Sequence, residues 1–265
     1  MPGDDGTYVW ANADELAERQ RLESLEAWFD PLTQRHLEAI DIGVGWRCLE
    51  VSAGGGSIAR WLAQRVGPSG SVVATDVDVR FLTELPATVE VRRHDVLSDA
   101  LESEEFDVVH CRALLANLSD PRSALARLAA AVAPGGWLVV EEADTGLLTF
   151  SGFPGADRAT SVMQDIDHRW AERGMTNVFY GRHVPGLVYE LELDGFDTRC
   201  TTAIATIGHP AYDVAKLSWV LARQAAAAIG IDEDDLSCVD LAYEATTALM
   251  IAPAFFAAWG RRRTA

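Results

Sequence analysis

The chain has 265 residues and a formal net charge of −18, with 22 Lys and Arg residues against 40 Asp and Glu residues. A field of this sign repels phosphate backbones and anionic lipid, so we predict a small-molecule substrate, no nucleic-acid partner and no membrane partner. The four cysteines include no CxxC pair, and no apolar stretch reaches membrane-spanning length, so we predict no disulfide framework and no metal site, and expect a cytoplasmic location.

Residues 1–44 are predicted to form a helical arm ahead of the core of the fold. Apolar positions at helical spacing favour a helix over residues 12–41. Asp30 and Pro31 predict an interruption of that helix, because proline suits the first turn of a new helix.

Short apolar runs alternate with helical patterns over residues 45–145. The runs predict five strands, at 46–51, 71–75, 88–93, 106–111 and 137–143. The helical patterns between them lie at 55–67, 78–84 and 122–133. Strands joined by helical crossovers favour a parallel sheet with helices on both faces. We therefore predict an α/β fold that is Rossmann-like and doubly wound.

Residues 146–265 are predicted to add helical cap insertions for the substrate and the last two strands. The pattern predicts a loop at 145–156, a helix at 157–173, a helix ended by Gly195, a sixth strand at 196–207, helices at 211–229 and 232–250, and a final edge strand at 253–261. No repeat or linker divides the chain. We expect a single domain, 1–265, around a mostly parallel seven-stranded sheet.

A glycine-rich segment, "EVSAGGGS" at residues 50–57, follows the first predicted strand. Gly54 and Gly56 permit positive φ and let backbone N–H groups approach a ligand, and the helix behind them offers its positive end. Because parallel sheets bind ligands at the carboxyl ends of their strands, the segment predicts a cofactor loop. A structural turn is the alternative interpretation. Ser52 stands where a cofactor fingerprint has its first glycine.

Acids at the ends of the next two strands strengthen the prediction of a cofactor site. Asp76 closes the second strand, where a carboxylate can accept hydrogen bonds from ribose hydroxyls. Asp95 follows the third strand, beside the expected place of an adenine ring. Either acid alone is also typical of a helix cap or a solvated loop. With Glu50, however, acids stand at three successive strand ends, and chance explains that poorly.

These motifs resemble the class I S-adenosylmethionine-dependent methyltransferases. The family's acid followed by GxGxG is matched by Glu50, Ser52, Gly54 and Gly56. Its fourth-strand and fifth-strand motifs resemble "FDVVHCRALLANLSDP" and "VAPGGWLVVEE". The match is specific over residues 45–145 and looser elsewhere. It implies S-adenosylmethionine as cofactor and S-adenosylhomocysteine as product.

The resemblance also implies which residues hold the cofactor. Glu50 would organise the loop around the methionine end, and Asp76 would hold the ribose. The other contacts that it implies are Tyr8 covering the cofactor, Val77 beside Asp76, Asp95 and Val96 at the adenine, and Cys111 and Arg112 beside the methionyl group. Two residues depart from the family pattern. Ser52 adds a side chain where the backbone passes the cofactor, and Asn117 stands where close relatives often carry a histidine.

Transfer of a methyl group to a hydroxyl benefits from a general base, which is most often histidine. The candidates are His168, His183 and His209. Helical spacing places His168 on one face with Asp165, either as an oriented base or as a solvated pair. His209 is expected in a loop after the sixth strand, and His183 at a helix start. A surface or capping role is the alternative for each histidine.

The sequence therefore predicts an enzyme that transfers a methyl group from S-adenosylmethionine to a small-molecule acceptor, preferably to an oxygen of a natural-product-like metabolite. The alternative is a cofactor-binding protein that does not methylate, such as a cofactor-assisted cyclase, an isomerase or a binding protein. Ser52 and Asn117 keep that alternative open. A nicotinamide dehydrogenase is disfavoured for want of an evident Tyr-x-x-x-Lys proton donor. A homodimer is compatible with the sequence.

Overall fold

The computed structural model describes residues 15–174 and 176–264. The helices in these ranges are α1 Glu15–Glu38, α2 Ser57–Val66, α3 Pro121–Ala131, α4 Ala156–Glu172, α5 Val184–Tyr189, α6 Pro210–Ala228 and α7 Glu233–Glu244. Short 3₁₀ turns lie at Val79–Phe81, Leu115–Asn117, Thr145–Leu147 and Tyr180–His183. The first of these turns is all that forms of the helix predicted at 78–84. None of the helices in the described ranges combines the length and the apolar character that a bilayer span requires.

The strands form one large and one small sheet. They are β1 Arg47–Val51, β2 Ser71–Asp76, β3 Val89–Arg93, β4 Phe106–Arg112, β5 Val132–Asp144, β6 Thr149–Ser151, β7 Asp194–Thr201, β8 Ile204–Ala205, β9 Leu249–Ile251 and β10 Ala254–Arg261. Among the described residues, the central sheet has seven strands in the order β3-β2-β1-β4-β5-β10-β7. β1 pairs in parallel with β2 and β4, and the β2–β3 and β4–β5 pairs are also parallel. The predicted doubly wound, mostly parallel fold is confirmed.

Successive residues of the inner strands fill two different cores, because side chains alternate between the faces of a sheet. Leu49 of β1 packs in a core with Leu128 of α3, and we call this the α3 core. Cys48, one residue earlier, packs in a core with Leu62 of α2, which we call the α2 core. The strand order turns around between β1 and β4. The carboxyl ends of these two strands therefore mark the place where such sheets bind ligands.

β10 is an inner strand of the sheet, so the prediction of a final edge strand was wrong. It lies between β5 and β7. Ala258 packs in the α3 core, while Ala257 and Trp259 pack in the α2 core, so both faces of the strand are buried. Pro253 precedes the strand, and its missing N–H therefore does not interrupt the ladder of hydrogen bonds. The edge on this side of the sheet is β7.

A small antiparallel sheet, in the order β6-β9-β8, was not predicted. β6 occupies part of the predicted loop at 145–156, and β9 follows α7 inside the predicted helix at 232–250. β8 takes the end of the predicted sixth strand, whose first part is β7. Each of these strands has only two or three residues, which is too short for a period of two to be visible in the sequence.

α1 continues through Pro31, although the sequence predicted a break there. Proline donates no N–H, so the helix loses one hydrogen bond at this point. Arg35 Nε donates to the Pro31 carbonyl at 2.9 Å. The side chains of Thr33 and His36 in the following turn are buried. Their packing keeps the segment helical despite the proline.

The described residues fall into two compact units. The sheet unit contains residues 29–142, 180–200 and 256–264. The second unit contains residues 15–28, 143–174, 176–179 and 201–255, and it holds the small sheet with α4, α6 and α7.

Replacement of Gly70 by alanine tests how closely α2 packs on the start of β2. A Cβ at this position would lie 2.5 Å from Val66 Cβ and 2.7 Å from the Trp46 carbonyl oxygen. We expect Gly70→Ala to lower the free energy of unfolding by about 1–3 kcal/mol, measured by urea denaturation. Gly186→Ala in α5 is the matched control, because nothing lies within 4 Å of its added Cβ. Equal losses in the two variants would contradict this steric explanation.

Candidate functional site

The chain leaves β1 through a loop whose backbone is left-handed at three positions. φ is 61° at Ser52, 55° at Gly54 and 81° at Gly56. Gly56 N donates to the Ala53 carbonyl at 2.8 Å, and Gly56 is the residue that caps α2. Glycine adopts this conformation freely, whereas serine pays about 1 kcal/mol for its Cβ. The tight turn thus lies at the carboxyl end of β1, where a parallel sheet binds its ligand.

The Asp76 carboxylate connects this loop to the end of β2. Its Oδ2 accepts a hydrogen bond from Gly54 N at 3.0 Å, and its Oδ1 accepts one from Asp78 N at 2.9 Å. Burial raises the pKa of Asp76, and the two backbone donors oppose that rise. The side chain is only partly buried, and each oxygen keeps a further lone pair for a ligand hydroxyl. The neighbouring Val77 side chain is 42% exposed and offers an apolar surface beside the carboxylate.

Asp95 lies in the turn after β3. Its Oδ1 accepts from Leu97 N at 2.9 Å, and its Oδ2 accepts from Ser98 Oγ at 3.0 Å. Because β2 and β3 are parallel neighbours, Asp95 and Asp76 follow strands that end at the same edge of the sheet. Val96 is 3% exposed and packs in the α3 core, so its side chain anchors the turn.

Glu50 is the second-to-last residue of β1. It belongs to a buried network that was not predicted from the sequence. His110 Nδ1 lies 2.6 Å from Glu50 Oε2, and His110 Nε2 lies 3.3 Å from Glu141 Oε2. His36 Nδ1 lies 2.5 Å from Glu141 Oε1. We call these four side chains the carboxylate–histidine cluster. It joins β1, β4 and β5 to the part of α1 that lies in the sheet unit.

His110 carries the positive charge of the cluster. Both of its ring nitrogens face carboxylates, which requires a proton on each nitrogen. Burial opposes this charge, but Glu50 and Glu141 outweigh burial and raise the pKa of His110 to about 9. Burial also opposes ionisation of Glu141, and hydrogen bonds with His110 and His36 nevertheless lower its pKa to about 2. For Glu50, burial raises the pKa and His110 opposes the rise.

Thr33 and Arg112 continue the network from the cluster to the start of α2. Thr33 Oγ1 donates to Glu141 Oε2 at 2.5 Å. Arg112 Nη1 donates to Thr33 Oγ1 at 3.0 Å and to Asp30 Oδ1 at 2.9 Å. Ser57 Oγ, at the first residue of α2, donates to Asp30 Oδ1 at 3.1 Å. These bonds hold residues 29–38 of α1 against the end of the glycine loop.

The remaining residues predicted to hold the cofactor have the following places. Cys111 is fully buried in the α3 core, and Arg112 is 9% exposed inside the network described above. Tyr8 lies outside the described residues. Cys111 and Arg112 end β4 at the carboxyl edge of the sheet. The other predicted residues lie along the same edge, and they are Glu50, Ser52, Gly54, Gly56, Asp76, Val77, Asp95 and Val96.

Two of the three histidines that were predicted as a general base lie in the second unit. His209 caps α6, where its Nδ1 accepts from Ala211 N at 3.1 Å. His168 is exposed on α4, but Asp165, its expected partner, pairs instead with Arg169 at 2.8 Å. The hydrogen bond between Ala211 N and His209 Nδ1 is the one expected if His209 has a capping role.

His183 lies in the sheet unit, at the end of the 3₁₀ turn that precedes α5. Its ring packs edge-on against Tyr180 with the ring centroids 5.9 Å apart. Both side chains line a surface pocket of about 330 Å³. His183 thus faces this cavity.

Tyr212 and Lys216 on α6 do have the Tyr-x-x-x-Lys spacing of a reductase, so the expectation that no such pair exists was wrong. The Tyr212 side chain is fully buried, and its hydroxyl donates to the Ala242 carbonyl at 2.8 Å. A tyrosine buried in this way presents no proton to a substrate.

The sequence predicted no site role for His36, Thr33, His110 or Glu141. About 105 residues separate His36 from Glu141, so their contact leaves no local pattern. The signal that was present is a polar residue inside an apolar strand, in "FDVVHC" and "WLVVEE". A buried titratable group needs a partner, and that requirement predicts some contact for His110 and Glu141.

A family model described as a methyltransferase domain matches residues 13–187. This chain belongs to that family. The resemblance to the class I S-adenosylmethionine-dependent methyltransferases is therefore confirmed, and the loop and the acids described above belong to a methyltransferase domain.

Two relatives show how much of the chain the likeness covers. The domain is 32% identical over 155 residues to methyltransferase str2 of Strobilurus tenacellus, which covers 58% of this chain and 54% of that protein. It is 32% identical over 117 residues to nocamycin O-methyltransferase of Saccharothrix syringae, which covers 41% of this chain and 42% of that protein. The chain spans about half the length of the curated relatives that it matches.

The solved structure of the [4+2]-cyclase SpnF has the same fold, with a TM-score of 0.54 and 16% identity. The match covers 89% of this chain and 81% of that one. This likeness concerns the fold and not the reaction, because one fold supports several chemistries.

Replacement of Ser52 by glycine tests the strain in the loop. We expect Ser52→Gly to raise the free energy of unfolding by up to about 1 kcal/mol, because relief of the left-handed strain exceeds the entropy that glycine adds to the unfolded chain. Ser52→Ala keeps the Cβ and loses only the hydroxyl, so it should not gain stability. Thermal denaturation of the three proteins makes the comparison. A loss of stability in Ser52→Gly would indicate that the hydroxyl makes a contact of its own.

The carboxylate–histidine cluster predicts how stability depends on pH. The pKa of His110 is raised from 6.5 to about 9 in the folded protein, so its contribution is complete below about pH 6.5 and is lost as the pH rises through 9. The pKa of Glu141 is lowered from 4.5 to about 2, so its contribution is present above about pH 4.5 and is lost as the pH falls towards 2. As the pH rises from 6.5 to 9, we expect loss of the His110 proton to lower the free energy of unfolding of the wild-type protein by about 2–3 kcal/mol.

His110→Gln tests the source of that loss. It removes the cation that lies between Glu50 and Glu141, so we expect it to lower the unfolding free energy by about 3–5 kcal/mol below pH 6.5 and to flatten the decrease in stability above that pH. His168→Gln, at an exposed histidine, is the control and should keep the wild-type pH profile. Urea denaturation across this pH range measures both variants. An unchanged alkaline slope in His110→Gln would place the titrating group elsewhere.

Proposed function

We propose that this methyltransferase domain binds S-adenosylmethionine at the carboxyl edge of its central sheet and transfers the methyl group to an oxygen of a small-molecule acceptor. The observation that carries the proposal is the bond between Gly54 N and Asp76 Oδ2. It joins a left-handed glycine loop to a partly buried carboxylate beside the point where the strand order turns around.

The residues at this edge fit the cofactor in chemistry as well as in position. The Asp76 carboxylate would accept the ribose hydroxyls, and the exposed Val77 side chain would lie against the adenine with the Asp95 turn beside it. The start of α2, behind Gly56, offers a positive helix end to the carboxylate of the methionine part. Glu50 would act through the loop that it supports, because its own carboxylate is bound to His110.

When bound, S-adenosylmethionine supplies a methyl group on a positively charged sulfur, and this sulfur leaves as a thioether when a nucleophilic oxygen attacks the methyl carbon. The protein has to hold the acceptor oxygen in line with the bond between sulfur and methyl carbon, and it has to remove the proton of the acceptor hydroxyl. His183 is the base that we retain among the three candidates, because it is exposed in the sheet unit and lines a pocket with Tyr180. Its imidazole would accept the proton of an acceptor hydroxyl.

Oxygen as the acceptor atom is supported by the likeness to nocamycin O-methyltransferase, whose name states that chemistry. A natural-product-like metabolite is the acceptor class that this relative suggests.

The single-domain organisation, a homodimer and a cytoplasmic location stay predictions.

Replacement of Asp76 tests the cofactor site directly. We expect Asp76→Ala to weaken S-adenosylhomocysteine binding by about 1–3 kcal/mol, because a charged acceptor for hydroxyl groups is lost. Asp78→Asn is the matched control, since the Asp78 carboxylate is engaged with Arg80 instead. Isothermal titration calorimetry measures the affinity of each protein. Equal affinities of wild type and Asp76→Ala would mean that the cofactor binds elsewhere.

Methyl transfer itself is tested with methyl-labelled S-adenosylmethionine and a panel of hydroxylated aromatic acids. We expect the label to pass to at least one acid, with release of S-adenosylhomocysteine in equal amount. His183→Gln should lower the rate of transfer and leave cofactor affinity unchanged. If the protein binds the cofactor but transfers no label across the panel, the non-methylating alternative is favoured.

A further inference from the structure

We propose that the pocket beside α5 binds the oxyanion group of the acceptor, either a carboxylate or a phosphate. The pocket has a volume of about 330 Å³, and its lining includes Arg122, Tyr180, Arg182, His183, Leu187 and Glu190. The identity of the ligand as the methyl acceptor rests on the proposed function. The anion-binding character of the pocket rests on its own residues.

The pocket lies at the carboxyl edge of the sheet within the sheet unit. Tyr180 and Leu187 pack in the α3 core together with Leu115, which begins the 3₁₀ turn after β4. Glu142, near the end of β5, accepts from Ala116 N at 3.0 Å and so connects the turn after β4 to β5. The pocket is therefore built on the ends of β4 and β5, while the glycine loop and Asp76 follow β1 and β2.

Two arginine side chains line the pocket of an otherwise acidic chain. Arg122 and Arg182 line it together with one carboxylate, Glu190, in a protein with 22 basic and 40 acidic residues. A net charge of −18 repels anionic metabolites from most of the surface. The two arginines are then the groups that would receive an anion here, because the arginine fork matches the two oxygens of a carboxylate or phosphate.

The contact between Arg122 and Glu190 shows that this position accepts a carboxylate. Arg122 Nη1 donates to Glu190 Oε2 at 2.8 Å, and the two side chains are 67% and 58% exposed. An ion pair exposed to this extent contributes little free energy, so a ligand oxyanion can take the place of Glu190 at small cost. Glu190 is therefore the competitor that a bound anion displaces.

Tyr180 adds a hydrogen-bond donor to the pocket. Burial raises the pKa of its hydroxyl, with Glu142 and Asp120 adding to the rise and Arg122 opposing it, so the phenol stays protonated. Asp120 accepts from Ser123 N at 3.0 Å at the start of α3, and Glu142 accepts from the backbone as described. Both acids are thus engaged by backbone donors.

Calorimetry on the intact chain tests this proposal with three probes: 4-hydroxybenzoate, its uncharged methyl ester, and inorganic phosphate. We expect the acid to bind and the ester to bind more weakly by roughly tenfold, because a charge-assisted hydrogen bond is lost. Arg122→Gln and Arg182→Gln should each weaken binding of the acid by roughly tenfold. Glu190→Gln should strengthen it, since the internal competitor is neutralised. Phosphate binding without binding of the acid would assign the pocket to phosphorylated acceptors.

Arg65→Gln is the matched control, because Arg65 is an exposed arginine of the sheet unit that pairs with Glu38 outside this pocket. Its affinity for the probes should equal that of the wild type. The proposal is overturned if neither anion binds at millimolar concentration, if the ester binds as well as the acid, or if Glu190→Gln does not strengthen binding. S-adenosylhomocysteine affinity is measured in parallel. Its absence would end the proposed function, while binding of the anion would still support the pocket.

Discussion

The buried cation at His110 is the constraint on which the carboxyl edge of the sheet depends. A charged imidazole in the interior is stable only with carboxylates around it, and Glu50 and Glu141 supply them from the two neighbouring strands. The same carboxylates are too costly to bury without the cation. The ends of β1, β4 and β5 are therefore locked together, and His36, stacked on Trp259 of β10, extends the lock to α1.

The glycine loop after β1 is supported by this edge of the sheet. The glycine loop begins two residues after Glu50, and its left-handed turns are held by Asp76 on one side and by the Asp30–Ser57 bond on the other. Strain at Ser52 persists because these contacts determine the path of the loop. A loop that is fixed in this way can present its N–H groups to a ligand without having to be ordered first.

Different groups along this edge would bind the two proposed ligands. Asp76 closes β2 and Asp95 follows β3, where a positively charged, hydroxyl-bearing cofactor would lie. Arginines stand near the ends of β4 and β5, where Arg122 and Arg182 would meet an anionic acceptor. The proposed cofactor and acceptor would then lie side by side along one edge of the sheet.

The sequence by itself determined the parallel sheet, the glycine loop and the acids after the strands, because each depends on residues close together in the chain. Apolar runs with a clear period located β1 to β5, and spacing alone located Asp76 and Asp95. Tertiary structure decided what no local pattern records: the inner place of β10, the small sheet of very short strands, the continuation of α1 through Pro31, and the partners of His110. These features depend on contacts between residues as far apart as His36 and Glu141, where packing and the pairing of buried charge outweigh local preference.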